Sequence, residues 1–276
     1  MTPMGAPRAS GPEGPPRRRL MAVLAHPDDE SMGIGGTLAK YASAGVETHL
    51  LTATRGDGGR YGTHRPGDAG HPGRAALGGI RENELRAAAA VLGVADVALL
   101  EYRDGELDRA NAKEAIAAIV EHLRRVQPDV VITFGQDGAY GHPDHIAISQ
   151  LTTAAIVAAR EPAISKLYYI AWPESTWAAY QSAFKKLTST VDGVERRVVP
   201  WPDWEITTVL DTRAFCGTVW KAIACHQSQM AAYEQLKNLP AEQQQAIWGA
   251  QPFYRVFSTV NGGRARETDL FEGIPG

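Results

Sequence analysis

Short apolar runs that alternate with helix-like segments constrain the fold of this chain more than any other feature. Strands are predicted at 20–25, 46–54, 97–101 and 129–134, with helices between them at 35–43, 81–92 and 111–126. The strand-like runs are apolar on both faces, as expected for a parallel sheet that is covered on both sides. The pattern therefore predicts an α/β fold, a Rossmann-like, doubly wound, mostly parallel sheet with helices on both faces.

The C-terminal third is predicted to complete the same domain, because no internal repeat or clear linker interrupts it. Strands are expected at 168–171, 205–210 and 253–260, and helices at 175–187 and 213–230. The Pro/Gly-rich residues 1–19 are expected to form a disordered tail before a single domain at 20–276. Cys216 and Cys225 are placed on opposite faces of the last helix, so a disulfide between them is not expected.

Charge and hydropathy argue against several classes of partner. The 276 residues contain 28 Lys and Arg against 31 Asp and Glu, with no basic stripe interleaved with aromatic residues, which argues against a nucleic-acid partner. No window approaches the roughly 18 continuous apolar residues that span a bilayer, and the apolar run behind Arg17 to Arg19 is too short for an export signal. We expect a cytoplasmic protein without a membrane partner; its oligomeric state stays open.

Two polar clusters follow two of the predicted strands. HPDDE (26–30) comes directly after the strand at 20–25, and AYGHPDH (139–145) comes shortly after the strand at 129–134. Ligands of open parallel sheets bind beyond the carboxyl ends of the strands, so both clusters are expected on one rim. Either cluster alone is explained by a helix cap or a turn, but capping requires no histidine.

Together the two clusters are typical of a catalytic metal site. Imidazole and carboxylate suit Zn²⁺ better than Mg²⁺ or Ca²⁺, and Fe²⁺ can use the same ligands. His26 and Asp29, completed by a histidine of the second cluster, make three protein ligands and leave a fourth position for water. Asp28 is then free to accept the proton of that water.

The motifs resemble those of the LmbE/PIG-L family of zinc-dependent N-deacetylases, which act on compounds that contain N-acetylglucosamine. AHPDDE and AYGHPDH carry the resemblance, with weaker similarity in RENEL (81–85), RDG (103–105) and KAIACHQSQ (221–229). The resemblance implies Zn²⁺ bound by His26, Asp29 and His145, with Asp28 as the general base. It implies removal of an acetyl group from a small N-acetylated amino sugar.

The same resemblance implies roles for six further residues. His142 would stabilise the oxyanion or protonate the leaving amine, and Asp144 would orient it or tune its charge. Tyr140 would support the tetrahedral intermediate from a mobile loop. The residues expected at the substrate are Arg81 and Asp104, which would hold sugar hydroxyls, and His226. For His226, packing of a helical histidine in a polar core is the alternative.

Three alternatives stay open. Two histidines and one carboxylate also form the facial triad of non-haem Fe(II) enzymes. The site could equally serve an amidase acting on a thiol–sugar conjugate, or a sugar-binding protein without catalysis. The Gly-rich loop at 55–79 is interpreted as a lid or binding loop, and Trp172, Trp177, Trp201 and Trp204 as either packing residues or platforms for sugar rings.

Overall fold

The computed structural model describes residues 17–159, 164–183, 188–191, 193–263 and 265–275. Most of the expected N-terminal tail and the end of the helix predicted at 175–187 lie outside these residues. The strands are β1 (Arg19–Leu24), β2 (Glu47–Thr54), β3 (Asp96–Tyr102), β4 (Val130–Phe134), β5 (Lys166–Ile170), β6 (Thr188–Val191), β7 (Val194–Arg197), β8 (Thr208–Asp211) and β9 (Ala250–Ser258). The helices are α1 (Asp29–Ser43), α2 (Arg74–Leu92), α3 (Ala112–Val126), α4 (Gly138–Gly141), α5 (Pro143–Ala159), α6 (Glu174–Ala183), α7 (Cys216–Ile223), α8 (Met230–Tyr233) and α9 (Ala241–Trp248).

Seven strands form one sheet in the order β3-β2-β1-β4-β5-β9-β8. The first five are parallel, and β9 is antiparallel to both β5 and β8. β6 and β7 pair separately as an antiparallel hairpin. The predicted Rossmann-like, mostly parallel sheet is confirmed, and the C-terminal third contributes β8 and β9 to it.

The strand order places both polar clusters in one crevice. The chain runs outward from β1 to β3 and then crosses back to β4, so the direction of winding reverses between β1 and β4. Right-handed crossovers place α1 and α2 on one face of the sheet and α3 and α5 on the other. Accordingly, α3 packs against α5, while α1 packs against α2 and α7. The side chains that follow β1 and β4 therefore meet at the switch point, as predicted.

Two helices begin earlier than the sequence pattern predicts. α1 starts at Asp29 rather than at residue 35, and α2 starts at Arg74 rather than at residue 81, which shortens the irregular Gly-rich segment to 55–73. Glycines lie inside these first turns, Gly33 in α1 and Gly78 and Gly79 in α2, and their low helix propensity hides the starts from a local pattern.

The single helix predicted at 213–230 is wrong. α7 ends at Ile223, and the chain continues through short helical turns. Cys225 therefore lies beyond the helix that carries Cys216, although both thiols are free, as expected. The helix breaks because the chain turns inward to bury His226 against Glu30.

In the described part of the chain, no helix is long and apolar enough to cross a membrane.

Candidate metal centre

The turn after β1 brings His26 and Asp29 face to face. Asp29 Oδ2 accepts the backbone N–H groups of His26 at 2.7 Å and Ala25 at 3.2 Å. Asp28, between them, has φ 101, a left-handed conformation that is uncommon for a residue other than glycine. This folded turn leaves His26 Nδ1 3.6 Å from Asp29 Oδ2.

His145 approaches the same point from the start of α5. Its Nε2 lies 3.2 Å from His26 Nδ1 and 3.4 Å from Asp29 Oδ1. The imidazole stacks on Phe134, the last residue of β4, with ring centroids 3.9 Å apart. Packing on the strand end thus fixes the direction in which Nε2 points.

Two carboxylates orient the other side of His26. Its Nε2 lies 3.1 Å from Asp104 Oδ1 and 3.1 Å from Asp144 Oδ2. Because carboxylates only accept hydrogen bonds, Nε2 carries the hydrogen and the Nδ1 side faces Asp29 and His145. Burial lowers the pKa of His26, but these carboxylates outweigh it and raise the pKa well above its ordinary value.

These groups are spaced like ligands gathered around one metal ion. His26 Nδ1 lies 3.2 Å from His145 Nε2, and the Asp29 carboxylate approaches the two rings with different oxygens, Oδ2 at 3.6 Å from His26 and Oδ1 at 3.4 Å from His145. Ligand atoms about 2.0–2.1 Å from Zn²⁺ in a tetrahedron stand about 3.3–3.4 Å apart. Among the described residues, two groups around this imidazole have ligand atoms that all lie within 4.8 Å of one another: His26 with His142 and His145, and His26 with Asp104 and Asp144.

Asp28 lies beside this group but is held by other partners. Its Oδ2 accepts hydrogen bonds from the Tyr233 hydroxyl at 2.7 Å and from Arg81 Nη2 at 3.1 Å. Its backbone N–H donates to Glu30 Oε2 at 3.0 Å. Burial raises the pKa of Asp28, opposed by the positive charge of Arg81. Tyr233 was not predicted, because it lies in a short helix outside every motif.

Arg81 is buried beneath the centre. Besides Asp28, its guanidinium donates to the backbone oxygens of Gly56, at 2.8 Å, and Pro27. Gly56 has φ +63, and a Cβ there would overlap Arg81 Nη1. Asp104 also forms hydrogen bonds within the protein: its Oδ2 accepts the backbone N–H of Gly58. That Arg81 and Asp104 hold sugar hydroxyls stays a prediction.

His142 borders the group. Its ring centroid lies 4.7 Å from that of His26, and its Nδ1 accepts the backbone N–H of Asp144 at 3.2 Å. Burial, together with the charges of His26 and His145, lowers the pKa of His142 to about 3. The described hydrogen bonds of the Asp144 carboxylate are formed with His26 and with the N–H groups of Gly105 and Leu107. The Asp144 carboxylate therefore orients His26, whereas Asp144 acts on His142 through its backbone N–H and its charge.

Tyr140 lies in the α4 turn. Its ring centroid is 5.3 Å from that of His145. The preceding residue, Ala139, has φ 63 and ψ −82, a strained conformation for alanine. The turn places Tyr140 at the edge of the metal centre, and its support of a tetrahedral intermediate stays a prediction.

A buried layer of polar contacts links the weaker motifs to the centre. His226 is fully buried, and its Nε2 lies 2.8 Å from Glu30 Oε1. Glu84 of the RENEL motif accepts the N–H and the hydroxyl of Ser228, both at 2.7 Å. Glu30, Glu84 and Ser228 were not predicted as site residues, although each lies inside one of the motifs HPDDE, RENEL and HQSQ, and that position was the available signal. A contact of His226 with substrate stays a prediction.

A doubly wound sheet that gathers imidazoles and carboxylates at its switch point is typical of a metal-dependent hydrolase. The profile of the family described as "PIG-L: GlcNAc-PI de-N-acetylase" matches residues 21–156. The chain is 34% identical to the 1D-myo-inositol 2-acetamido-2-deoxy-alpha-D-glucopyranoside deacetylase of Acidothermus cellulolyticus, over 93% of this chain and 95% of the relative. It is 33% identical to the enzyme of that name from Rhodococcus jostii, over 93% and 98% of the two chains. The chain belongs to the PIG-L family, as the motifs predicted.

Solved structures confirm the fold. The 4-carboxy-2-hydroxymuconate hydratase GalB of Pseudomonas putida superposes with a TM-score of 0.66 at 20% identity, covering 90% of this chain and 100% of GalB. The N,N'-diacetylchitobiose deacetylase of Pyrococcus horikoshii gives 0.63 at 20% identity, with 87% and 84% covered. Since one of these is a hydratase and the other a deacetylase, the reaction must be argued from the site.

Proposed function

We propose that this protein is a metal-dependent deacetylase that hydrolyses the acetamide of a small molecule containing N-acetylglucosamine. Water supplies the new bond to the acetyl carbon, the C–N bond breaks, and acetate and a free sugar amine are released. The relatives named above make 1D-myo-inositol 2-acetamido-2-deoxy-α-D-glucopyranoside the first substrate to test.

One observation carries the proposal: His26 Nδ1, His145 Nε2 and the two oxygens of the Asp29 carboxylate converge at separations of 3.2 to 3.6 Å, and the partly buried Asp28 carboxylate lies in the same turn. We assign the first three as metal ligands and Zn²⁺ as the ion, with Fe²⁺ as the other candidate. A bound divalent ion supplies polarisation of the acetamide carbonyl and a lowered pKa for water. Asp104 and Asp144 would hold the His26 ring in its ligating orientation.

Asp28 is the proposed general base. Within the described part of the chain, both hydrogen bonds to its carboxylate end on Oδ2, donated by Tyr233 and Arg81. This anchoring fixes the carboxylate plane, and Oδ1 is the oxygen assigned to take the proton of the attacking water. The same proton can then pass to the departing amine.

His142 is the proposed donor to the oxyanion. Because its Nδ1 accepts the backbone N–H of Asp144, the neutral ring carries its hydrogen on Nε2. The neutral Nε2–H of His142 is suited to stabilise the negative charge that develops on the carbonyl oxygen. To deliver a proton, His142 would have to become an imidazolium, and its protonated Nδ1 could no longer accept the N–H of Asp144. Tyr140 would contribute a second polar group at the tetrahedral carbon.

The remaining expectations, on the substrate-binding residues and on location, are compatible with this function. The substrate roles of Arg81, Asp104 and His226 stay predictions, as does the cytoplasmic location. We also propose that residues 20–276 act as one domain, which the addition of β8 and β9 to the main sheet supports.

Acetate release by metal-stripped protein tests the function. The protein is assayed with the GlcNAc–inositol compound and a panel of GlcNAc derivatives, before and after one equivalent of Zn²⁺ or Fe²⁺, alongside Asp28→Asn. Asp211→Asn is the matched control, because Asp211 pairs with Arg213 on the surface. We expect metal-dependent acetate that disappears in Asp28→Asn and persists in Asp211→Asn.

Other results identify the alternatives. Oxygen consumption with Fe²⁺ and no acetate would indicate a non-haem iron enzyme. Sugar binding without turnover under any metal would indicate a binding protein. Acyl release from thiol–sugar conjugates alone would indicate the amidase.

A further inference from the structure

The RGDGG end of the Gly-rich loop (55–59) is fixed against the turn that follows β3. Asp57 Oδ1 accepts the backbone N–H of Asp104 at 3.1 Å, and Asp57 Oδ2 accepts a hydrogen bond from Arg74 Nε at 2.8 Å. Arg74, the first residue of α2, also donates from Nη2 to the backbone oxygen of Asp104 at 2.9 Å. The Asp57–Arg74 pair thus holds both the N–H and the C=O of Asp104. Neither Asp57 nor Arg74 has a role in the chemistry proposed above.

The side chain of Asp104 is held as firmly as its backbone. Its Oδ2 accepts the N–H of Gly58 at 3.0 Å, and its Oδ1 lies 3.1 Å from His26 Nε2. A Cβ on Gly58 would lie 3.2 Å from both Asp104 Oδ2 and Arg74 Nη1, so a larger residue would crowd both groups. With Oδ2 and the backbone fixed, Oδ1 can point only toward the His26 ring.

Burial increases along this chain of contacts toward the metal centre. The side chains of Arg74 and Asp57 are 34% and 20% exposed, whereas those of Asp104 and His26 are 11% and 9% exposed. The outer pair is charge-assisted and partly shielded from water, so it restricts the position of Asp57 more than a neutral contact would. The Gly56 carbonyl in the same loop accepts a hydrogen bond from Arg81 at 2.8 Å. Contacts on both sides favour a supporting role for this end of the loop over that of a lid.

Partners of a metal-ligating histidine fix its orientation, and their loss weakens metal binding about 10- to 100-fold. Asp104 is such a partner of His26. We propose that Asp57 and Arg74 are positioning residues that act on the metal centre through Asp104. They hold the Asp104 carboxylate so that the His26 ring keeps Nδ1 directed at the metal ion. This role rests on the proposed function, in which His26 is a ligand.

The Zn²⁺ affinity of metal-stripped protein, measured by calorimetry, tests the pair without a substrate. We expect Asp57→Ala to weaken binding about tenfold, the lower end of the range for direct partners, because Asp57 acts one residue further out. Asp57→Asn should lose less, since an amide oxygen can still accept the Asp104 N–H. Adding Arg74→Ala to Asp57→Ala should weaken binding little further, because both side chains hold the same backbone.

Asp96→Ala is the matched control. It removes an ion pair with Arg125 of 2.8 Å at the other end of β3, so it should keep the parent affinity. A parent-like affinity in Asp57→Ala, or an equal loss in Asp96→Ala, would overturn the positioning role.

The His26 ring gives a second measurement that requires neither metal nor turnover. Proton NMR of metal-stripped protein follows the Nε2–H of His26, which faces the Asp104 carboxylate. In Asp57→Ala this signal should shift and exchange faster with water, and in Asp96→Ala it should not. If the parent bound no Zn²⁺ or released no acetate, the proposed function would fail, and this change would still support the positioning role. An identical signal in the parent and Asp57→Ala would overturn it.

Discussion

Replacing Tyr233 with phenylalanine removes one of the two described hydrogen bonds on the proposed base and keeps the ring. The hydroxyl donates to Asp28 Oδ2 at 2.7 Å, and burial next to Asp28 raises the pKa of Tyr233 well above its ordinary value, so it stays a donor at neutral pH. A hydrogen bond to a charged group is worth about 1.5–3 kcal/mol, or roughly 10- to 150-fold in rate. Because Arg81 still donates to the same oxygen, we expect the lower end, about a tenfold fall in kcat.

Steady-state acetate release with saturating metal measures this effect, and KM should stay within about twofold because the hydroxyl holds the base rather than the substrate. Tyr41→Phe is the matched control, since the Tyr41 hydroxyl also donates to a carboxylate, Asp269 Oδ1 at 2.8 Å, but away from the metal centre. It should lose stability and keep kcat. A Tyr233→Phe enzyme with the parent kcat, or an equal loss in Tyr41→Phe, would refute the reasoning.

Three further predictions concern backbone strain, pH and metal. Gly56→Ala should lose roughly 1–3 kcal/mol of stability and most activity, because the added Cβ overlaps Arg81. Gly62→Ala is the control, since Gly62 has φ +60 but a Cβ there would meet no atom within 4 Å, so this variant should lose stability alone. Equal activities of the two variants would contradict this prediction. Burial raises the pKa of Glu267, but hydrogen bonds from Lys166 and the other donors to this carboxylate outweigh burial and lower the pKa to about 2. The contribution of Glu267 to the free energy of unfolding is therefore complete above the pKa of the unfolded state and is lost as the pH falls toward 2. Denaturant unfolding at pH 5 and 2.5 should show this loss, on the order of 3 kcal/mol, and a pH dependence unchanged in Glu267→Gln would count against it. Asp29→Ala should weaken Zn²⁺ binding by calorimetry more than about 100-fold, and an affinity near that of the parent would exclude Asp29 as a ligand.

The first half of the fold was predictable because its strands are buried, so each appears in the sequence as a short, continuous apolar run. Residues 20–24 of β1 are nearly fully buried, and Asn111 caps α3 by accepting the N–H groups of Lys113 and Glu114. The predicted starts of α1 and α2 were wrong where glycines lie inside helices. Glycine has a low helix propensity, so the first turns of α1 and α2 do not stand out from their neighbouring residues.

The candidate metal ligands were predictable because each lies in a compact motif at the end of a strand. The residues that support them were not, because they come from distant parts of the chain. Tyr233 lies 205 positions from Asp28, and Glu30 and His226 are 196 apart. The C-terminal helix was misjudged for the same reason: burial of His226 against Glu30 overrides a locally helical pattern.

Asp28 and Asp29 show how one turn gives two adjacent carboxylates opposite properties. The left-handed backbone at Asp28 directs its side chain to Arg81 and Tyr233, while Asp29 turns back toward the His26 backbone and the two imidazoles. Burial raises the pKa of both carboxyl groups, but His145 and His26 outweigh it at Asp29 and hold that pKa well below its ordinary range, whereas the pKa of Asp28 stays raised. A carboxylate that stays ionised suits a metal ligand, and one with a raised pKa suits a group that takes up and returns a proton. The strained φ of Asp28, supported by the hydrogen bond from its N–H to Glu30, is therefore the local feature that separates the ligand from the base.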